Sequence, residues 1–346
     1  FKTLLKKNSK IITDRNSKEF KIIKNIAKKR KIKLITLGSL FSNINILKNT
    51  YEKNSQIIEI SVNSKKYFLK IPLIGFFQVK NLLMAILAAS QCNINIKDIF
   101  KNIHKIKPVP GRLENIVSLK NNSNIILDYA HTPDALKQSL IALKNQFKKE
   151  IIIVFGCGGD RDKKKRLTMG KIAKKYCRKV FVTDDNPRNE NPKKIRETIL
   201  KGCKNKSVDI ADRKKAIEKA INELNPNEVL LVAGKGHEAN QDFGNKIIKF
   251  SDREIIKKAV KKTKHKYKKN YWSNFVGYKA FKNKNINFNG VSINTKTIKK
   301  NNLFFALTGK KTDGHKFLKS ALRKGAAKIV ISKNINQAHS SKYIKV

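Results

Sequence analysis

Four short segments concentrate the residues able to do chemistry. The densest is Asp184-Asp185-Asn186-Pro187-Arg188, with two carboxylates, an amide and a guanidinium. It follows Lys179-Val180-Phe181-Val182-Thr183, which reads as a buried strand, and precedes Asn191-Pro192, a cap residue with Pro at the first helical position. The group therefore belongs where the C-terminal end of a strand meets a helix N-terminus, the crevice in which open α/β sheets bind ligands. Arg188 can hold a carboxylate by a two-pronged hydrogen bond, and Asp185 and Asn186 can take an ammonium. The set suits a zwitterion such as an amino acid. A solvated turn with a surface ion pair would use the same residue types.

The other three segments also end apolar runs. Leu127-Asp128-Tyr129-Ala130-His131-Thr132-Pro133-Asp134 offers Asp128 to a ribose hydroxyl and His131 to a phosphate near a helix N-terminus. A plain capped helix with a surface histidine is the alternative. Phe155-Gly156-Cys157-Gly158-Gly159-Asp160-Arg161-Asp162 has glycines that let a backbone approach an anion. Ala233-Gly234-Lys235-Gly236-His237-Glu238 joins a Gly-x-Gly turn to one acid. Each is weak alone. The glycine turn is not a full G-x-G-x-x-G, and the sequence contains no G-x-x-x-x-G-K-[ST].

The elements that must position these segments follow from pattern and punctuation. Apolar stretches predict strands at 10–13 and 32–36 joined by a helix over 17–29, then a hairpin of 57–61 and 67–71 about Asn63-Ser64. Gly75-Phe76-Phe77-Gln78-Val79-Lys80-Asn81 opens a helix through Ser90, and a shorter helix covers 97–104. Pro108-Val109-Pro110-Gly111 marks a domain boundary. Strand–helix alternation follows, with strands near 124–128, 151–155, 179–183 and 228–233 and helices near 133–146, 164–177, 192–202 and 212–224. Thr132 and Asp212 are caps, and Leu136, Leu140 and Leu143, like Ile217, Ile221 and Leu224, form single apolar faces. This alternation means a mostly parallel sheet with helices on both sides. The Lys-dense run 261–271 reads as an exposed linker, with an extension of the preceding helix as the alternative. Residues 272–346 form a separate small unit, with strands near 291–293, 303–307 and 328–331 and a helix near 315–324.

Composition narrows the function classes. Lys and Arg number 78 against 25 acidic residues, a formal net charge of +53, which raises nucleic-acid binding as a rival hypothesis. Lysine is spread along the whole chain, Ile and Asn are equally over-used, and no zinc-finger spacing, aromatic RNP pattern or basic arm stands out. The charge reads as compositional bias with a weak polyanion affinity as its side effect, and no specific nucleic acid is expected. Cys92, Cys157, Cys177 and Cys203 form no C-x-x-C pair, which argues against zinc or dithiol sites and fits a reducing cytoplasm. No apolar run reaches the roughly 18 residues of a membrane-spanning helix, so no membrane insertion is expected.

Taken together and in order, the four segments resemble the Mur ligases, the ATP-dependent amino-acid-adding enzymes of peptidoglycan synthesis. That family's pattern of D-Y-A-H-T-P, G-x-G-G-D-R-D-x-x-K-R, D-N-P-R and G-K-G-H-E is met at 128–133, 156–166, 185–188 and 234–238. The D-N-P-R form resembles the subgroup that adds meso-diaminopimelate rather than lysine; in a folylpolyglutamate synthetase, the nearest enzyme rival, it would not be expected. Gly75 to Asn81 is similar to the family's G-x-F-N-x-x-N, with Gln78 where Asn is usual, and Pro110-Gly111-Arg112-Leu113-Glu114 resembles its P-G-R-x-E hinge. The resemblance covers residues 1 to about 260.

The resemblance implies an α/β chain in three parts: the C-terminal part of a central ATPase domain (1–108), a Rossmann-like, mostly parallel-sheet ligase domain (109–260), and, after the linker, a small UDP-binding-type domain (272–346). It implies that Asp185, Asn186, Pro187 and Arg188, completed by Arg161, Gly234 and Glu238, bind meso-diaminopimelate. Asn81, Arg112, Asp128 and His131 fall on the nucleotide side. The implied reaction phosphorylates the free carboxylate of UDP-N-acetylmuramoyl-L-alanyl-D-glutamate with ATP, and the amine of diaminopimelate then displaces phosphate. No catalytic side chain or metal ligand is assigned within the chain, because the family's P-loop, Mg²⁺ ligands and UDP-binding domain are expected before residue 1. A monomer is expected, inactive as an isolated piece. Gly290 to Lys296, Asn302 to Gly309 and Asp313-Gly314-His315 resemble the N-terminal domain of a Mur ligase that adds D-Ala-D-Ala, with Asn294 and Lys296 where Asp and Arg are usual. A fused bifunctional protein is the expectation, with a misjoined gene pair as the alternative.

Overall fold

The computed structural model describes residues 5–6, 8–270, 288–309, 312–333 and 340–345. They divide into two compact units, Phe1–Val260 and Lys261–Val346.

The first unit begins with a five-stranded sheet of β1 (Lys10–Asp14), β2 (Lys33–Gly38), β3 (Ile44–Glu52), β4 (Ser55–Val62) and β5 (Lys65–Ile71), in sequence order. The first three strands are parallel and the last two close antiparallel hairpins. Asn63 and Ser64 sit at φ 47° and 62°, the type I′ geometry that matches strand twist. Helix α1 (Phe20–Lys29) links β1 to β2, starting later than expected because residues 17–20 form a turn. Helix α2 (Phe76–Ser90) buries Val79, Leu83 and Leu87 against Ile58, Ile60 and Ile71 of the sheet. Helix α3 (Ile96–Lys101) ends in a 3-10 turn at Ile103–Lys105. Strand β3 was not legible in the sequence: beyond Ile44 its side chains are at most half-buried, so it lacks a clean two-residue period.

The second sheet contains β6 (Glu114–Ser118), β7 (Asn124–Asp128), β8 (Glu150–Phe155), β9 (Lys179–Val182), β10 (Ser207–Asp209) and β11 (Glu228–Ala233), in spatial order β10-β9-β8-β11-β7-β6. All pairings are parallel except β6 with β7. On one face Ile151, Ile153 and Phe155 meet Leu136, Leu140 and Leu143 of α4 (Pro133–Phe147), Met169 of α5 (Lys164–Tyr176), and Ile195 and Ile199 of α6 (Pro192–Cys203). On the other, Ile152 and Val154 meet Ile217 and Ile221 of α7 (Arg213–Asn222) and Ile256 of α8 (Asp252–Asn270). Alternate residues of one strand thus feed two cores, as a sheet covered on both faces requires. The caps form as read: Thr132 accepts from Ala135 N (3.3 Å), Asn191 from Lys193 N (2.9 Å) and Asp212 from Lys215 N (3.0 Å). An unforeseen hairpin, β12 (Asn240–Asp242) with β13 (Ile247–Lys249), precedes α8.

The run expected as an exposed linker is helical as far as Asn270. Ile256, Ala259 and Val260 bury one face of α8, and Lys, a good helix former, lets the helix run on past them. Tyr271 and the expected domain start at 272 lie outside the described residues.

The second unit has four parallel strands in sequence order, β14 (Gly290–Ser292), β15 (Asn302–Ala306), β16 (Lys328–Ile331) and β17 (Tyr343–Lys345). Phe304, Ile329 and Ile331 pack on Leu318 and Ala321 of α9 (Leu318–Arg323), which a 3-10 turn at Gly314–Phe317 opens. Among the described residues no helix is long and apolar enough to cross a membrane.

Candidate functional site

The parallel order β9-β8-β11-β7 brings the C-terminal ends of four strands side by side, and each end carries one of the chemical segments. The turn after β8 lies against Asp184–Arg188: Gly159 N donates to Asn186 O (2.9 Å) and Arg188 Nη1 donates to Gly159 O (2.8 Å). The glycines serve this packing. A methyl group at Gly156 would strike the Thr183 carbonyl, and one at Gly159 the Pro187 carbonyl. Pro187 is buried in the same junction. Gly234 adopts φ 111°, and a methyl there would lie 2.5 Å from Asp185 Oδ2, so two constraints require glycine.

Behind the loops lies a buried charge network. Lys235, fully buried, donates to Asn186 Oδ1 (2.8 Å) and Glu238 Oε2 (2.9 Å), with Asp185 Oδ1 at 4.0 Å. Arg213, also buried, forms a two-pronged pair with Asp252 (2.8 and 2.7 Å), donates to Ala233 O (2.9 Å), and places Nη1 3.9 Å from Asp185 Oδ2. Asp185, read from the sequence as able to take an ammonium, is thus a buried strut between two buried cations of the protein itself. Burial pushes its pKa up, against the pull of Arg213 and Lys235. For Glu238, burial also acts upward, but the Lys235 hydrogen bond and charge, with Asn186 and Arg213, hold it below the ordinary carboxylate range.

Asn186 is likewise committed. Its Oδ1 accepts from Lys235 and from Asp242 N (3.1 Å), and its Nδ2 donates to Glu238 Oε2 (3.0 Å). These partners fix the amide orientation, so what Asn186 offers outward is a spare N–H, a donor for a carboxylate and no acceptor for an ammonium. Glu238 is the carboxylate with an open oxygen: its side chain is 32 % exposed and its Oε1 has no hydrogen-bond partner among the described residues. Arg188 sits at φ 51°, held by its N–H to Asp242 O (3.1 Å), with Asp242 Oδ2 3.6 Å from Nε. Its Nη2 has no hydrogen-bond partner among the described residues. Arg161, in the turn after β8, is exposed with no hydrogen-bond or ion-pair partner among the described residues.

Two carboxylates near the pocket are structural. Asp184 is held by Arg196, which also binds Asp209. Glu190 takes a two-pronged pair from buried Arg166 (2.9 and 2.8 Å) and a bond from Asp160 N (2.7 Å). The Arg166 hydrogen bonds lead in holding Glu190 at about 2.

On the other side of the β11 turn lies an exposed face. The Arg112 guanidinium stands 4.5 Å over the Tyr129 ring, which is 4.8 Å from the His131 ring and 5.4 Å from that of His237. His131 Nδ1 lies 3.0 Å from Tyr129 O. Gly111, at φ 68°, packs directly on the Gly236–His237 backbone, tying the P-G-R-x-E segment to this turn. Asp128 does not join the face as expected. It is buried, with Oδ1 accepting from Leu113 N (3.2 Å) and Tyr129 N (2.9 Å) and Oδ2 from Ser139 Oγ, and burial pushes its pKa up against those bonds. Asn81 is exposed on α2, without a hydrogen-bond partner among the described residues, while Gln78 of the same motif donates to Ile74 O (2.8 Å) and Arg112 O (3.2 Å).

The sequence reading missed Arg213, Asp252, Lys235 and Asp242. One signal was present for Arg213: a basic residue at the first helical position opposes the helix dipole and needs another employment. Among the described residues no cluster of three or more His, Cys, Asp or Glu side chains could hold a metal ion.

Comparison with known proteins agrees with this geometry. Residues 1–89 match the Mur ligase middle domain, 111–236 the Mur ligase glutamate ligase domain, and 287–345 the Mur ligase family catalytic domain. The UDP-N-acetylmuramoyl-L-alanyl-D-glutamate–2,6-diaminopimelate ligase of Rickettsia montanensis is 40% identical over 257 residues, 73% of this chain and 53% of that protein. The Buchnera aphidicola ligase of the same name is 39% identical over 214 residues, 61% of this chain and 43% of that protein. The chain thus spans about half the length of the curated relatives it matches. A solved ligase of that name superposes with a TM-score of 0.54 at 28% identity, covering 74% of this chain and 54% of that one. Folylpolyglutamate synthase from Mycobacterium tuberculosis (TM-score 0.53, 15% identity, 65% and 52% covered) shares the fold alone. With three domains of one family matched along its length, the chain belongs to the Mur ligases.

Proposed function

We propose that residues 1–260 form the amino-acid-binding half of an ATP-dependent ligase that adds meso-2,6-diaminopimelate to UDP-N-acetylmuramoyl-L-alanyl-D-glutamate. The observation that carries this is the convergence of Arg188, Asn186 and Glu238 at adjoining strand ends, with a guanidinium and an amide N–H available to carboxylates and a carboxylate oxygen available to an ammonium. Diaminopimelate has two such zwitterionic ends; lysine lacks the distal carboxylate. Arg188, fixed by Gly159 O and the Asp242 backbone, is the group that reads that carboxylate, with exposed Arg161 two residues beyond Gly159 in the same turn as a further candidate.

ATP supplies the phosphoryl group that turns the acceptor carboxylate into an acyl phosphate open to the amine. Within this chain, the flat, cationic face of Arg112, Tyr129, His131 and His237 fits one end of a nucleotide, with Asn81 on α2 as a further contact. Asp128 acts there indirectly, by holding the Arg112–Leu113 hinge and α4 together. We read the domain limits as 1–108 and 109–260, and residues 272–346 as part of a UDP-binding-type domain of a second, D-Ala-D-Ala-adding ligase. The family match at 287–345, following the glutamate ligase domain, supports a fusion. Asn294 accepts from Lys296 N (2.8 Å) within its own turn, so its side chain is committed locally.

Calorimetric titration with meso-diaminopimelate tests the pocket. Saturable one-to-one binding that lysine competes for poorly is expected; equal affinity for lysine, or no binding to the folded chain, would count against it.

A further inference from the structure

The pocket's two outward groups, Glu238 Oε1 and the spare N–H of Asn186, stand on a single hidden cation. Lys235 is 0 % exposed, and its ammonium reaches Asn186 Oδ1 at 2.8 Å, Glu238 Oε2 at 2.9 Å and Asp185 Oδ1 at 4.0 Å. We propose that Lys235 is the positioning residue of this site: it draws the inner oxygen of Glu238 onto Asn186, so that the outer oxygen and the outer amide N–H face a ligand as a matched acceptor and donor.

An ammonium has three donors and no acceptor, so Lys235 needs acceptors around it, and oxygens of three different residues lie within 4.0 Å of it. Asn186 has other ties, to Asp242 N at 3.1 Å and through its Nδ2 to Glu238. Among the described residues the Glu238 carboxylate has only Lys235 and Asn186 as hydrogen-bond partners, and both meet the same oxygen. With Lys235 gone, Glu238 would stand near Asp185 with Arg213 as the remaining charge that acts on it among the described residues, and Asp252 and the Ala233 carbonyl already engage that guanidinium. The third-exposed Glu238 side chain would then turn to water. Asp185 cannot replace it, because it is walled in by Gly234, Arg213 and Lys235.

The chemical class this arrangement favours is an α-amino acid end group, with ammonium on Glu238 and carboxylate on Asn186. This rests on the proposed amino-acid pocket, and the test separates the two. The first reading needs no ligand. The Glu238 carboxyl is titrated by NMR in the full chain, as wild type and as Lys235→Met. In the wild type it titrates below the ordinary carboxylate range, and in Lys235→Met it is expected to rise to that range or above. An unmoved Glu238 titration overturns the proposal whatever binds. The second reading is calorimetric titration with meso-diaminopimelate. Lys235→Met is expected to bind about 10- to 100-fold more weakly than wild type while its thermal unfolding stays cooperative. Equal affinity overturns the proposal. A wild type that binds no diaminopimelate while Glu238 shifts as expected would count against the ligand reading and leave Lys235's positioning role supported. Lys235→Gln, which keeps an N–H donor, serves both measurements if the Met variant does not fold; a Glu238 titration in it identical to wild type would also overturn the proposal, since the neutral donor lacks the charge that holds the carboxylate.

Discussion

The two faces of the β11 turn differ in how their polar groups are held. On one, Asp252, Arg213, Asp185, Lys235, Glu238 and Asn186 form one continuous network, mostly buried. On the other, Arg112, Tyr129, His131 and His237 meet through ring contacts on the surface, with buried Asp128 turned inward. A pocket that must tell one zwitterion from another needs its donors and acceptors fixed in advance, because a misplaced buried polar group costs more than a hydrogen bond returns. A face that stacks on a flat ring tolerates looser side chains.

That contrast can be broken by mutation, and the largest effect belongs to the network. Arg213→Met leaves Asp252 and Asp185 without their shared cation and should destabilise the chain by about 3–5 kcal/mol, the cost of breaking a buried ion pair from one side. Urea denaturation followed by circular dichroism measures it, and a loss under about 1 kcal/mol would mean the network is dispensable. Gly234→Ala comes next: a side chain at φ 111° is strained by about 1–3 kcal/mol, and the methyl would also press on Asp185. A crystal structure of that variant should show Asp185 displaced.

A smaller effect is pH-dependent. Glu190 is held at about 2, led by the Arg166 hydrogen bonds, well under an unfolded value of about 4.3. A carboxyl depressed in the folded state contributes stability that is fully present above its unfolded pKa and lost as pH falls through the folded one. Wild type should therefore lose stability between about pH 4.5 and 2 more steeply than Glu190→Gln, which starts lower and stays flatter. Parallel acid slopes in the two proteins would remove Glu190 from the account. The smallest effect is on the open face. Arg112→Ala should change stability by less than about 0.5 kcal/mol, since the guanidinium is exposed, yet weaken nucleotide binding in a filter or fluorescence assay. A large loss of stability would show that the hinge, and not the ligand, is its employer.

What the sequence made legible follows the same divide. The strand ends were readable because Val180 to Thr183 and Glu228 to Ala233 are short apolar runs followed at once by glycine or charge. Helix starts were readable because Thr132, Asn191 and Asp212 are cap residues, two of them followed by Pro. That Arg188, Glu238 and Asn186 share one crevice was readable, but the task of each neighbour was not: Asp185 and Asn186 looked like ammonium ligands because sequence shows residue types and hides which oxygens are already taken. Arg213 and Asp252 lie 28 and 67 positions after Asp185, and only the parallel order of the sheet brings them under it. The short strands β10, β12, β13 and β17 each span three residues, too few for any period to show.

The central claim is that Arg188 selects the added amino acid by its distal carboxylate. The direct measurement joins this chain to a complete Mur ligase N-terminal half and compares kcat/KM for meso-diaminopimelate and lysine, in wild type and Arg188→Ala. A charge-assisted hydrogen bond is worth about 1.5–3 kcal/mol, so the variant should lose diaminopimelate use by roughly 10- to 150-fold while its poor use of lysine changes little. Arg188→Lys should recover only part, because an ammonium cannot make the two-pronged contact. If Arg188→Ala leaves the preference for diaminopimelate over lysine unchanged, Arg188 is a turn residue held on Gly159, and the assignment of the pocket is wrong.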